Sequence, residues 1–259
     1  MLEWGDGPEL FVLLHAAAAG PQSLSALATL LLRPGRRVIA PALHGYGATA
    51  MPEAADRVAA NLAVLRACLA INAADRRIVF GHSMGGLVGL RSALDGLSLD
   101  AVALYEPIVT ACLRADVSDE AALRDWDRQV VAGVERGLAN RDPESGIAGF
   151  IDAWNEIPWG SLPSSVRSRL IATAGSLAAD MHAVSYHDLP ADRLARLQIP
   201  VLLLQGALSP PITHAITARL ASLLPNARRH IIDGCAHMGP AVMPATVHAA
   251  ITASHPALA

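Results

Sequence analysis

The chain has 259 residues and a formal net charge of −3 at pH 7, and 53% of its residues are hydrophobic while only 4% are aromatic. The small net charge gives no reason to expect nucleic acid or an anionic membrane as a partner. All 20 basic residues are arginine. The chain therefore cannot use a Schiff-base lysine, a phosphate-binding P-loop lysine or a Ser–Lys dyad.

Compartment and redox state are predicted from the N-terminus and the cysteines. Residues 1–6 lack the positive charge and the following apolar stretch of a signal peptide, and no run is long and apolar enough to span a bilayer. Cys68, Cys112 and Cys235 are odd in number, far apart and set among apolar neighbours. We therefore expect a soluble, cytoplasmic protein with reduced, buried cysteines and with no metal or other cofactor.

Short apolar runs alternate with helix-length segments along much of the chain. The predicted strands are residues 10–14, 37–41, 77–81, 101–105, 199–204 and 228–232, and the helix-length segments between them include residues 22–32 and 54–72. Strands that alternate with helices predict an α/β fold with a mostly parallel central sheet flanked by helices. The continuously apolar character of these runs indicates strands covered on both faces.

The interval of residues 110–197 breaks this alternation. It shows helical patterns around residues 120–138 and 144–155 and no convincing strand, and it holds five of the chain's ten aromatic residues. We therefore divide the chain into an α/β core, residues 1–109 and 198–259, and a helical insertion, residues 110–197.

Residues 81–86, Gly-His-Ser-Met-Gly-Gly, stand between a predicted strand and an apolar helix-like run. They match the nucleophile-elbow pattern G-x-S-x-G, in which the serine lies on a sharp strand-to-helix turn. A strained turn of this kind projects the Ser83 hydroxyl above the sheet, and glycine at 81 and 85 removes the side chains that would collide there. The pattern predicts nucleophilic attack on a carbonyl group.

Together, these features resemble the α/β-hydrolase family from residue 10 to residue 254. The residues that carry the resemblance are Leu-Leu-His at 13–15, His44-Gly45-Tyr46-Gly47, the elbow, Tyr105-Glu106-Pro107 and Cys235-Ala236-His237-Met238-Gly239-Pro240. The resemblance implies a mostly parallel eight-stranded sheet, a helical lid at residues 110–197 and a serine hydrolase. Only eight or nine residues precede the run at 10–14, so the first strand of the family is expected to be missing or vestigial.

A serine hydroxyl needs a base within hydrogen-bond reach and a third group that orients the base. His237 lies on the loop after the last predicted strand, where the family places its catalytic histidine, and is the predicted base. His82 is expected to pack beneath the elbow rather than to take a proton.

The family most often places the acid in a Gly-x-x-Asp turn after its seventh strand, but the matching turn here, residues 206–210, has Ser209 at that position. A serine cannot hold the negative charge. Glu106 ends the preceding strand, and because some members of the superfamily place the acid there, it is the predicted acid. The alternatives are that Glu106 caps the first turn of the lid or pairs with an arginine, and that Asp233 is the acid.

The oxyanion that forms during attack on a carbonyl needs preorganised N–H donors. The amide of Met84, at the start of the elbow helix, is one predicted donor, helped by the helix N-terminus. The amide of Ala17, in the loop that follows His15, is the second, with Ala16 as the alternative. The family usually has His-Gly in this loop, and alanine at 16 resists the positive φ that glycine tolerates.

Trp126, Trp154 and Trp159 are predicted to form an apolar wall for the substrate, the alternative being that these rings only pack the lid onto the body.

The predicted activity is hydrolysis of a small ester, lactone or thioester through an acyl-enzyme on Ser83. An acyltransferase with the same residues and a non-catalytic, ligand-sensing homologue remain alternatives. A haloalkane dehalogenase is disfavoured, since its nucleophile is an aspartate. A small acyl compound is the only partner predicted, and the sequence leaves a homodimer open.

Overall fold

The computed structural model describes residues 1–50 and 56–254. The strands are β1 (Leu2–Trp4), β2 (Glu9–Leu14), β3 (Arg36–Ala40), β4 (Arg76–His82), β5 (Ala101–Tyr105), β6 (Val201–Gly206) and β7 (Ala227–Ile232). The helices are α1 (Ser25–Leu31), α2 (Arg57–Ile71), α3 (Met84–Leu94), α4 (Ser118–Ala139), α5 (Pro143–Trp154), α6 (Ser164–Ala172), α7 (Ala174–Tyr186), α8 (Ala191–Ala195), α9 (Pro211–Leu223), α10 (Gly239–Val242) and α11 (Pro244–Ser254).

The strands form one sheet in the order β1-β3-β2-β4-β5-β6-β7. All neighbouring pairs are parallel except β1 with β3. The predicted α/β fold with a mostly parallel sheet is therefore confirmed, and each predicted strand is present. The described residues form seven strands rather than eight, and β1, with three residues, is the short strand that precedes β2.

Each face of the sheet is covered by its own group of helices. Successive strand side chains point to opposite faces, so Phe11 and Leu13 pack with α1 and α11, while Leu10, Val12 and Leu14 pack with α2, α3 and α9. The helices of the insertion join the second group. This double cover explains the apolar sequences of β2, β5 and β6, which are buried along their whole length. The prediction of two covered faces is wrong for β7, because it is the edge strand and its residues 228–231 are exposed.

Helices α4 to α8 lie between β5 and β6, within residues 110–197, which we call the helical insertion. The two predicted helical patterns correspond to α4 and α5. Helices α6, α7 and α8 were not predicted, because their short, alanine- and serine-rich sequences have weak apolar periodicity. Helix α2 begins at Arg57 behind the N-cap Asp56, and the predicted start of that helix, Ala54, lies outside the described residues.

No helix in the described part of the chain combines the length and the apolar character needed to cross a membrane. The three cysteines are buried.

One carboxylate joins the amino ends of three adjacent strands, β3, β2 and β4. Glu9, at the start of β2, stands in register with Arg36 of β3 and Arg76 of β4. Its oxygens accept hydrogen bonds from Arg36 Nε, from Arg76 Nη1 at 2.8 Å and from Arg33 Nη2 at 2.9 Å. Burial alone would raise the pKa of Glu9, but the hydrogen bonds and charges of Arg36 and Arg33 outweigh it and hold the pKa below its ordinary value.

We predict that Glu9→Gln lowers the free energy of unfolding by about 1–3 kcal/mol, because it leaves three arginines around a neutral side chain. The folded-state pKa lies below the unfolded value, so the stabilisation is complete above the unfolded pKa of about 4.5 and is lost as the pH falls through the folded pKa. Urea unfolding at pH 7 and in acid measures this, with the exposed Glu3→Gln on β1 as the control. Equal unfolding free energies for wild type and Glu9→Gln at pH 7 would contradict it.

Candidate active site

The carboxyl ends of β4, β5 and β6 meet at one edge of the sheet. Ser83 follows β4 and Glu106 follows β5. The Ser83 amide donates to the Tyr105 carbonyl at 3.0 Å, and the Glu106 amide donates to the Leu204 carbonyl at 2.9 Å. Parallel pairing thus brings Ser83 and Glu106 close together at the carboxyl ends of the strands. Ligand sites in open α/β sheets commonly lie at this end.

Ser83 has φ 56° and ψ −116°, in the region that favours glycine. Such a conformation costs about 1–3 kcal/mol and persists only where the surroundings fix it. A Cβ atom at Gly85 would collide with the Leu14 carbonyl, and one at Gly81 would collide with the Gly85 carbonyl. The two glycines of the motif therefore allow the close approach of β2, β4 and α3 that holds the serine at this turn.

Ser83, His237 and Glu106 form a continuous chain of hydrogen bonds. His237 Nδ1 lies 2.7 Å from Glu106 Oε2, and His237 Nε2 lies 3.2 Å from Ser83 Oγ. Because a carboxylate can only accept, Nδ1 carries the proton and Nε2 is free to accept the serine proton. All three residues are buried. The structure thus brings together the predicted nucleophile, base and acid.

The other oxygen of Glu106 is held by two further donors. Oε1 accepts the Gly206 amide at 2.7 Å and the Ser209 hydroxyl. Ser209, which stands where the family most often has its acid, therefore donates to the carboxylate that arrives from β5. Asp233, the alternative acid, is exposed, whereas Nδ1 of His237 is bonded to Glu106.

The loop that carries His237 is held by groups from β4 and β5. His82 Nε2 donates to the His237 carbonyl at 2.8 Å, and the Tyr105 hydroxyl donates to the Ala236 carbonyl at 2.6 Å. Burial is the main cause that lowers the pKa of His82 well below its ordinary value, and the electrostatic effect of the nearby His237 lowers it further. His82 therefore stays neutral and acts as a donor to the backbone, as expected of a residue that packs beneath the elbow.

The predicted oxyanion donors lie beside Ser83. Met84 is the first residue of α3, so its N–H has no acceptor within the helix. Ala17 and Met84 line the same small cavity as Ser83 and His237. In this loop Ala18, at 60°, and Gly20, at 78°, have a positive φ, and Ala16 does not. The alanine at the family's usual glycine position therefore does not bear the strain that the sequence suggested.

His15 fixes the beginning of this loop. Its Nδ1 donates to the Ala16 carbonyl at 2.8 Å, and its Nε2 accepts the Leu43 amide at 3.1 Å. The bond from Leu43 requires a neutral ring, because only an unprotonated Nε2 can accept it. Burial lowers the pKa of His15 to about 4, although the hydrogen bond to the Ala16 carbonyl raises it.

A buried polar network continues from the loop to the helical insertion. The Tyr46 hydroxyl accepts the Ala18 amide at 2.8 Å and donates to Asp180 Oδ2 on α7 at 2.6 Å. Arg57 donates to Asp180 Oδ1 through Nε at 2.9 Å and Nη2 at 2.6 Å. Burial raises the pKa of Asp180 to about 6, and Arg57 opposes that rise.

Sequence reasoning missed this network. Tyr46 lies in the motif of residues 44–47 that carries part of the family resemblance, but the motif alone predicts no role for its hydroxyl. Asp180 is a single acid in an alanine-rich helix that was not predicted, so its only signal is the burial seen in three dimensions.

Two cavities of unequal size meet at Ser83. The larger has a volume of about 310 Å³, and the smaller, of about 10 Å³, has room for about one water molecule. Trp154 and Phe150 line both. The larger is otherwise mostly apolar, and its lining includes the acid Glu156 and the base Arg169. Partial burial, and then the charge of Glu106, raises the pKa of Glu156.

The three predicted substrate tryptophans lie in different places. The Trp154 ring centre lies 4.9 Å from that of His237 and 5.4 Å from that of Trp126. Trp126 lines a separate surface groove, and Trp159 is buried with its amide bonded to Asp152 at 2.6 Å. Of the three, only Trp154 is among the described residues that line the two cavities at Ser83.

A family model described as "Alpha/beta hydrolase family" matches residues 11–250. No curated protein sequence matches the chain.

Solved structures resemble this chain over nearly its whole length. MenH from S. aureus has a TM-score of 0.77 and 16% identity, covering 97% of this chain and 96% of that one. A thermophilic esterase from Thermogutta terrifontis, with malate bound, has a TM-score of 0.68 and 24% identity, covering 97% and 90%. An alpha/beta hydrolase from Sphaerobacter thermophilus has a TM-score of 0.68 and 23% identity, covering 96% and 94%. At these identities the likeness establishes a shared fold.

Proposed function

The chain belongs to the alpha/beta hydrolase family, and from that premise we propose that it hydrolyses small esters, lactones or thioesters through Ser83, His237 and Glu106. The observation that carries the proposal is the hydrogen-bond chain from Glu106 Oε2 through both ring nitrogens of His237 to Ser83 Oγ. A nucleophile, a base and an orienting acid in this order are what serine catalysis needs.

In the acylation step, Ser83 Oγ attacks the carbonyl carbon and His237 Nε2 takes the serine proton. The imidazolium that forms is stabilised by the Glu106 carboxylate, and the oxyanion is stabilised by the amides of Ala17 and Met84. When the tetrahedral intermediate collapses, the bond to the leaving alcohol or thiol breaks and His237 supplies its proton. Water then attacks the acyl-Ser83 ester with His237 again as base, which releases the acid and restores the serine.

The unequal cavities support a restriction on substrate shape. The acyl carbon must lie at Ser83, between a cavity of about 310 Å³ and one of about 10 Å³. One substituent of the carbonyl can therefore be large and mostly apolar, while the other must be about as small as a methyl group. Met181 and Val184 of α7 and Ile108 close the small side, which gives the helical insertion the role of a lid that selects substrates.

The acyltransferase alternative uses the same residues and differs only in the acceptor of the second step. The sequence features that favour the non-catalytic alternative are Ser209, at the family's usual acid position, and Ala16, at its usual glycine position. This alternative loses support because Ser209 donates to Glu106 and because Ala16 does not have a positive φ. A cytoplasmic location and a homodimer stay predictions from the sequence.

We expect Ser83→Ala to lower the turnover of an activated aryl ester by at least about 10³-fold, because only binding and oxyanion contributions remain without the nucleophile. Ser23→Ala is the matched control, since it removes another hydroxyl that lines the larger cavity. Steady-state kinetics and thermal unfolding of both purified variants measure the effect. Undiminished turnover by folded Ser83→Ala would refute the proposal.

Glu106→Gln should lower kcat by at least about 10²-fold, because His237 loses both its fixed tautomer and the charge that stabilises its imidazolium. Ser209→Ala removes one of the donors to Glu106 and should cost about tenfold or less. Adding Ser209→Asp to Glu106→Gln should restore part of kcat, because it returns a carboxylate to the same pocket. A near-normal kcat for Glu106→Gln would instead direct attention to Asp233.

Met181→Ala should widen the small cavity and so relax the requirement for a small substituent, without touching the triad. We expect kcat/KM to rise relative to wild type for esters that are bulky on both sides of the carbonyl. Val166→Ala, in the larger cavity, is the control and should not shift this preference. The test is to measure kcat/KM for a panel of esters in which the lengths of the acyl and alcohol parts are varied independently. If Met181→Ala and wild type show the same relative kcat/KM values across the panel, the small cavity does not select substrates.

A further inference from the structure

Asp180 is a buried acid on the helical insertion that the proposed reaction does not use. It is 1% exposed, and its partner Arg57 is 4% exposed. Its two oxygens serve different partners, since Oδ1 accepts both bonds from Arg57 and Oδ2 accepts the Tyr46 hydroxyl. An ion pair buried this completely lowers stability unless each charge is well hydrogen-bonded. Both charges meet that condition, since Asp180 accepts from Tyr46 and Arg57, and Arg57 donates to Asp180 and to the His44 carbonyl.

The bond to Asp180 determines which way the Tyr46 hydroxyl points. Because that hydroxyl gives its proton to a carboxylate 2.6 Å away, its lone pair is free for the Ala18 amide at 2.8 Å. Arg57 also donates to the His44 carbonyl at 2.6 Å, so the carboxylate of Asp180 and the loop that carries Tyr46 are held by the same guanidinium. The rings of Tyr46 and His15 pack nearly perpendicular to each other, with ring centres 5.0 Å apart.

Ala18 is where this network reaches the reaction centre. It has a φ of 60°, which an alanine does not adopt unless something holds it there. The preceding residue, Ala17, lines both cavities beside Ser83. The Ala17 N–H belongs to the peptide group between residues 16 and 17, which adjoins the 17–18 peptide whose N–H bonds Tyr46. Fixing the 17–18 peptide therefore restrains the backbone at Ala17 that directs this donor.

We propose that Tyr46 and Asp180 are positioning residues for the oxyanion hole: Asp180 orients the Tyr46 hydroxyl, which holds Ala18 in its left-handed conformation and so directs the Ala17 N–H at the carbonyl oxygen of the substrate. The inference rests on the proposed function. It gives α7 a second role besides closing the small cavity, because the insertion helix then helps to build the catalytic loop.

Tyr46→Phe tests this, because it removes one oxygen and keeps the ring that packs on His15. Direct removal of an oxyanion donor costs about 10²–10³-fold in kcat, and a misdirected donor should cost about tenfold or more, with KM changed by less than about threefold. Asp180→Ala should behave like Tyr46→Phe. Asp180→Asn retains an acceptor for the Tyr46 hydroxyl and should recover part of the loss.

A matched pair of substrates separates oxyanion positioning from general loosening. Sulfur accepts hydrogen bonds poorly, so an oxyanion hole favours an ester over the corresponding thionoester, and a misaligned hole should lower the ratio of their kcat/KM values. Ser176→Ala is the control. It removes a hydroxyl of α7 that donates, at 3.0 Å, to the Gly45 carbonyl in the loop that carries Tyr46. This variant should leave the ester-to-thionoester ratio of kcat/KM unchanged.

A lower ester-to-thionoester ratio in Tyr46→Phe and in Asp180→Ala, with partial recovery in Asp180→Asn, supports the proposal. An unchanged ratio in folded Tyr46→Phe overturns it, whether or not kcat falls. These results are distinct from failure of the proposed function, which would appear as turnover that survives Ser83→Ala. If Ser83 is required and Tyr46→Phe keeps the wild-type ratio, only this inference fails.

Discussion

The buried carboxylate of Glu106 is the group on which the rest of the site depends. A carboxylate removed from water is costly unless its oxygens are hydrogen-bonded, and Glu106 meets that need with His237 Nδ1, the Gly206 amide and the Ser209 hydroxyl. These donors come from the loop after β7, the end of β6 and the turn that follows it. One charge therefore holds three segments together and fixes the proton of His237 on Nδ1, which leaves Nε2 for Ser83.

The two ends of the sheet are organised by different interactions. At the amino ends, Glu9 accepts hydrogen bonds from three arginines and ties β2, β3 and β4 together far from the candidate site. At the carboxyl ends, strained residues such as Ser83 and Ala18 are held by hydrogen bonds and by close glycine contacts. The helical insertion adds to the carboxyl end through Asp180, so a segment outside the sheet takes part in shaping the loop beside the nucleophile.

Much of this arrangement was predictable from the sequence, since the strands in the interior of the sheet contain distinct apolar runs and the elbow places Ser83 on a known turn. Glu106 and His237 followed from their places after strands that a parallel sheet brings together. The role of Asp180 could not be predicted, because an acid in an alanine-rich helix is expected to be exposed to solvent, and only the structure shows that it is buried. Trp126 and Trp159 share their residue type with Trp154, and only packing decides that Trp154 alone of the three reaches His237.

The most direct measurement of the central claim is to treat the intact protein with a fluorophosphonate and to locate the adduct by peptide mass mapping. In this reaction the activated serine oxygen displaces fluoride and forms a stable phosphonate ester. If His237, oriented by Glu106, activates Ser83, one equivalent of label should be found on the peptide that contains Ser83, and His237→Ala should label far more slowly. Label on another residue, with the Ser83 peptide unmodified, would contradict the account.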